Sequence, residues 1–210
     1  YSRGVSIRSS KNSIVSSNVI SVYTNVGDDQ GIQLLGVANK NIKIRDNSIV
    51  NTGSGVRYGL YVDNGDSIFI KQNILNGTDL GSGGYGISLY NTLKALEVDS
   101  NTISSYQNEG IRSRPPLGSN WKIRGNSISN VQNTGMYLEG TGGVYLNNRV
   151  TGITGGTGIV VNGGNALVAN NYVQCQGVGL AKGISLQANG TGSSIVFKIG
   201  RAHVLTPVTL

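Results

Sequence analysis

The sequence predicts an all-β solenoid, a stack of short parallel strands wound into about eight coils, and three observations carry that prediction. Glycines at 4, 31, 59, 86, 110, 135, 158 and 183 recur at intervals of 27, 28, 27, 24, 25, 23 and 25 residues. Asparagines at 18, 47, 73, 101, 126, 148 and 171 recur in phase with them, at 29, 26, 28, 25, 22 and 23. Between these markers apolar residues alternate with polar ones over a few positions at a time. Two markers in phase at a period in the twenties identify a solenoid, and a period of two excludes helices, which require apolar residues at i, i+3 and i+4.

Each unit reads as three strands in order. The first follows the glycine, with inward pairs Ile32/Leu34, Leu60/Val62, Ile87/Leu89, Met136/Leu138, Ile159/Val161 and Ile184/Leu186. The second ends at the asparagine and points Ile42/Ile44, Ile68/Ile70, Leu96/Val98 and Trp121/Ile123 inward. The third begins after it, with Ile20, Ile49, Leu75, Ile103, Ile128, Val150 and Val173. A sharp bend between the last two strands needs a left-handed residue, and the asparagine is expected to supply it. Stacked one per coil, the asparagine amides are also expected to hydrogen-bond along the axis as a ladder.

The 32 glycines are accompanied by only 3 prolines, which excludes a collagen-like chain. No apolar run approaches the roughly 18 residues of a membrane span. The single Cys175 excludes an intrachain disulfide, and its parity with Val173 marks it as a small buried hydrophobe. A net charge of +7 favours a polyanionic partner, but the charges are scattered, which argues against nucleic acid. The repeat fades after Phe197. The segment 199–210, with the only histidine (His203), resembles the translation of a sequencing adaptor, so one domain is expected over 1–198 with a foreign tail beyond it. An uncapped solenoid exposes sheet edges, from which end-to-end or trimeric self-association is expected.

Outward positions of the first strand are where units differ: Gln33, Tyr61/Asp63, Ser88/Tyr90, Arg112/Arg114, Tyr137/Glu139 and Asn162. The middle coils concentrate Tyr, Arg, Asp and Glu. The coil at 110–114 also breaks the apolar rule at Ser113, before Pro115-Pro116, and a local violation of pattern marks a candidate site. The outward stripe of the second strand, Lys43/Arg45, Phe69/Lys71, Glu97/Asp99 and Lys122/Arg124, alternates in charge between coils and reads as a solvated face.

The glycine and asparagine repeat over residues 4–197 resembles the right-handed parallel β-helix of the pectin-lyase-like superfamily. The resemblance implies an extracellular or cell-surface protein with a polysaccharide groove along the first-strand face. It admits calcium as a cofactor, although no cluster of carboxylates for calcium is visible there and no metal site is assigned. It implies a partner that is an acidic polysaccharide, bound and then cleaved by a lyase or altered by an epimerase. For β-elimination, Arg112 or Arg114 would neutralise the uronate, Tyr90 or Tyr137 would serve as base or acid, and Asp63 and Glu139 would orient them. Tyr61, Ser88, Gln33 and Asn162 would contact sugar. One alternative is a non-enzymatic glycan-binding or structural β-helix, as in phage tailspikes, adhesins and surface proteins. Another is a glycosidase, since Gly27-Asp28-Asp29-Gln30 resembles a segment of polygalacturonase-like enzymes. Asp29 and Asp63 would then have to stand roughly 6.5–9.5 Å apart for inverting hydrolysis. The Gly-His-Gly segment of that group is replaced here by Gly59-Leu60-Tyr61, and the epimerase-like Asp-Pro-His-Asp motif is absent.

Overall fold

The computed structural model describes residues 3–23, 29–53, 57–78, 83–114, 121–176, 182–187 and 192–196. Every strand pairing recorded among them is parallel, as the solenoid requires. First and second strands form one 14-stranded sheet, and third strands form a separate sheet of seven. Seven strands on one face span six intervals, so the coil turns about six full times, slightly fewer than the eight units counted on glycines. In two central coils the first and second strands fuse into single long strands, Arg57–Lys71 and Gly84–Asp99. Their mutual register slips between Asp63 and Gly65, the point at which the chain turns from the first face to the second.

The interior is the one the alternation predicts except at Leu186, expected inward on the last of the first strands but 38% exposed. The inward pairs Ile32/Leu34, Leu60/Val62, Ile87/Leu89, Met136/Leu138 and Ile159/Val161 are buried, as are Ile42/Ile44, Ile68/Ile70, Leu96/Val98 and Trp121/Ile123. Ile184 and Val173 pack partly against that core. Cys175 is only half-buried, lying on the last of the seven third strands among the described residues.

The asparagine ladder is continuous. Each Nδ2 donates to the Oδ1 of the next coil, from Asn18 to Asn47 at 2.8 Å, Asn47 to Asn73 at 2.9 Å and Asn73 to Asn101 at 2.9 Å. It continues from Asn101 to Asn126 at 3.0 Å, Asn126 to Asn148 at 2.9 Å and Asn148 to Asn171 at 2.9 Å. One expectation is corrected. The left-handed residue of the bend is the one before each ladder asparagine: Ser17, Asp46, Gln72, Ser100, Asn147 and Asn170 have φ of 55–58°, and Gly125 has 64°. The asparagine itself stays in ordinary backbone space and is selected for its side chain, which must both donate and accept inside the stack.

The second-strand stripe pairs across coils. Lys71 Nζ reaches Glu97 at 2.8 Å, and Arg124 Nη2 reaches Glu97 at 2.7 Å and Asp99 at 3.2 Å. These groups are partly exposed, and the alternation relieves repulsion along the column. No helix among the described residues is long and apolar enough to cross a membrane.

Candidate functional site

The first face carries its outward side chains in rows that run along the axis at about 4.8 Å per coil. One row places Gln33, Tyr61, Ser88, Arg112 and Tyr137 side by side, by the register of successive strands. A second row holds Asp63, Tyr90 and Arg114, and Glu139 continues it, its amide donating to the carbonyl of Ser113. A third row, at the residue before each repeat glycine, holds Gln30, Tyr58, Tyr85, Glu109 and Thr134. A strand counted from its glycine leaves this third row out of the expected face. The signal was present as Tyr58-Gly59, Tyr85-Gly86 and Glu109-Gly110.

Together the rows build an aromatic patch. Tyr58 stacks on Tyr85 at 5.2 Å between ring centres and meets Tyr61 edge-on, also at 5.2 Å; Tyr61 and Tyr90 follow at 5.4 Å. The Arg112 guanidinium lies over the Tyr85 ring, 4.8 Å from its centre. The same guanidinium pairs with Glu109 at 3.4 Å. Arg114 is exposed and makes no ion pair among the described residues.

Three outward positions depart from the expected open floor. Gln33, Ser88 and Arg112 are 4%, 0% and 6% exposed. Ser88 has a short side chain with Tyr61 and Arg112 as its two register neighbours, and long side chains 4.8 Å away on either side shade it. Asp63 does not stand free either: its Oδ1 accepts from the Asn64 amide at 2.9 Å and from the Asn91 amide. Glu139 accepts from the Tyr137 hydroxyl and the Asn162 amide, each at 3.3 Å. Burial first, and then the charge of Glu139, hold the Tyr137 phenol above its ordinary value. It is therefore a hydrogen-bond donor to that carboxylate, which is the wrong direction for a base.

Ser113, the break in the apolar pattern, is wholly buried. Its hydroxyl donates to the Glu139 carbonyl at 2.8 Å and accepts from the Glu139 amide at 2.9 Å. The irregular residue is thus a brace between coils, while Pro115-Pro116 lie outside the described residues.

The carboxylate pair of the glycosidase reading is not assembled. Asp29 pairs in register with Arg57, and the two form an ion pair at 3.8 Å with no exposure on either side. Asp63 lies six residues beyond Arg57 on the same strand, which at about 3.3 Å per residue puts the carboxylates roughly 20 Å apart. Strand direction carries the two carboxylates apart even though their coils are adjacent; Asp28 and Gly27 lie outside the described residues.

A metal centre is equally unformed: among the described residues no three His, Cys, Asp or Glu side chains gather. Copper favours imidazole, thiolate and thioether donors. The Met136 sulfur is sealed in the core, and the Cys175 thiol, held above its usual value by burial, donates to the Lys182 carbonyl at 3.2 Å. His203 lies outside the described residues. The donor set of the described residues does not fit a copper centre.

Against known proteins, the family model described as periplasmic copper-binding protein (NosD) matches residues 1–177. No curated protein and no solved structure gives a match.

Proposed function

The chain belongs to the NosD family, and on that premise we propose that it is a rigid β-helix, acting in the periplasm as the family's description states, that binds an acidic polysaccharide along its first face without cleaving it. The observation that supports binding is the patch of Tyr58, Tyr61, Tyr85 and Tyr90 beside the exposed Arg114, which has no ion pair among the described residues. Tyrosine rings offer flat apolar surface to sugar faces and hydroxyls to sugar oxygens. An exposed guanidinium pairs a carboxylate through two parallel hydrogen bonds. Rows repeating at about 4.8 Å along the axis suit an extended polymer that lies across several coils.

Elimination chemistry finds less support. Arg112, one of the two arginines expected to neutralise the uronate, is turned toward Glu109 and Tyr85, which leaves only Arg114 for that role. Tyr137 is held in its protonated form. The copper in the family's description is not assigned to any described residue of this chain, and no step is routed through it.

Calorimetry with polygalacturonate, alginate and a sulfated glycosaminoglycan tests the reading. Arg114→Ala and Tyr61→Ala are each expected to weaken binding about tenfold, equivalent to about 1.4 kcal/mol. Absorbance of unsaturated uronate is expected to stay flat through a long incubation. Absence of binding to all three polymers overturns the proposal, and growth of that absorbance returns the lyase reading to first place.

A further inference from the structure

We infer that Glu109 sets the charge selectivity of the tyrosine face: by drawing the Arg112 guanidinium back against Tyr85, it leaves Arg114 alone to meet carboxylates, and breaking that pair converts the face into a stronger polyanion binder. This rests on the saccharide reading above for its ligand, though not for the behaviour of Arg112 itself.

The resting position of Arg112 is held by one ion pair and by Tyr85, whose ring it covers and with which it shares a side-chain hydrogen bond. Its Nη1 reaches Glu109 Oε2 at 3.4 Å, a long ion pair, with the two side chains 7% and 12% exposed. Its Nε–H has no hydrogen-bond partner, and neither does the hydroxyl of Ser88, its register neighbour on the preceding coil. Glu109 Oε2 also lacks a hydrogen bond. Two neighbouring coils therefore leave a buried donor, a buried hydroxyl and a buried acceptor unmatched, around a cation with one charged partner. Removal of that partner would leave an uncompensated charge at a site with little solvent. A guanidinium on a long flexible stem then turns toward water or toward an anion.

Acidification is expected to act in the same direction. Burial chiefly, with the charge of Glu139 adding to it and Arg112 opposing, raises the Glu109 carboxyl above its ordinary value. As pH falls through that raised value, Glu109 takes up a proton and ceases to hold Arg112. Uronate carboxylates, with ordinary low values, are still charged at that point. The groups facing Glu109 are Arg112 on its own strand, Tyr85 on the preceding coil, and Tyr137 and Glu139 on the following one. The guanidinium charge is fixed, and the phenols of Tyr85 and Tyr137 are held above their ordinary value. Glu109→Gln removes the Glu109 carboxyl and leaves the other facing groups in place.

The experiment compares wild type with Glu109→Gln in two readouts. Phenylglyoxal labelling of Arg112, followed by peptide mass spectrometry, is expected to rise severalfold in the variant. Affinity for fully de-esterified polygalacturonate at about pH 7.5 is expected to rise about tenfold, with affinity for the methyl-esterified polymer unchanged. Wild-type affinity for the charged polymer is expected to increase from about pH 7.5 to about pH 5, and that slope to flatten in the variant. Equal labelling of Arg112 in both proteins overturns the inference. Raised labelling with no binding of either polymer upholds the role of Glu109 and sinks the saccharide reading instead. If the variant loses its β-sheet circular dichroism, the wild-type pH series decides: rising affinity supports the inference and a flat profile overturns it.

Discussion

Asn101→Ala is expected to destabilise the protein by about 4 kcal/mol, read as a fall in the denaturation midpoint. Asn101 is 1% exposed at the middle of the ladder. Its Oδ1 accepts from the backbone amide of Asn73 at 3.0 Å and from the Asn73 side chain at 2.9 Å. Its Nδ2 is directed at the carbonyls of Ile70 (3.0 Å) and Asp99 (3.2 Å) and at Asn126 Oδ1 (3.0 Å). Alanine strands donors and acceptors on three coils at once, where water does not reach. Each buried unmatched group costs about 1–3 kcal/mol, and partial relaxation keeps the sum below the simple total. Asn101→Asp tests the same point by a different route, because a carboxylate accepts but cannot donate. It is expected to lose the contacts to Ile70 and Asn126 while keeping those from Asn73. Stability within about 1 kcal/mol of wild type for both variants would show the ladder to be incidental to the stack.

The second large effect is expected at a repeat glycine. In Gly86→Ala the added methyl carbon would stand 2.4 Å from the Gly110 carbonyl oxygen and 2.4 Å from Ile103 Cγ2. The isoleucine can turn aside, but the carbonyl belongs to the neighbouring coil and is fixed by the parallel ladder. The coil must therefore open locally, at a cost of about 3 kcal/mol. Gly183 holds the same place in its own unit, yet a methyl there meets nothing within 4 Å among the described residues. Gly183→Ala is therefore expected to change stability by less than about 0.5 kcal/mol. Thermal melts of the two variants side by side decide between close approach and simple chain flexibility as the reason for the glycine. Equal losses would point to flexibility.

The two contrasts explain why the fold was legible before any coordinates. A solenoid repeats its local environment, so each requirement is written many times over. Ile32, Leu60 and Ile87 answer one position, and Asn47, Asn73 and Asn101 another. Noise at a single residue, such as Ser113 in place of an apolar side chain, does not hide the period. The bend was misassigned by one residue because asparagine satisfies two demands at once. Left-handed backbone and axial hydrogen bonding both favour it, and only φ values separate Ser100, which makes the bend, from Asn101, which makes the ladder.

The candidate site was legible only in outline. Alternation correctly put Tyr61, Tyr90, Arg112, Arg114, Tyr137 and Glu139 on one face, because strand geometry alone dictates which way a residue points. It did not say which of them would be engaged already. Arg112 and Arg114 differ by two positions and are equivalent by pattern, yet one is buried against Glu109 and Tyr85 while the other is exposed. Asp29 and Asp63 sit by count on adjacent coils at opposite ends of the strand, and only the structure shows Asp29 sealed against Arg57.

By itself the sequence determined the parallel coil, its core, the ladder and the face that carries Tyr and Arg, since these depend on period and parity, which are properties of the chain order. Tertiary structure alone decided which polar side chains on that face are paired, shaded or free. Such partnerships run between coils more than twenty residues apart and depend on side-chain reach: Tyr58 on Tyr85, Asn162 on Glu139, and Arg112 leaning back across Tyr85 instead of outward beside Arg114.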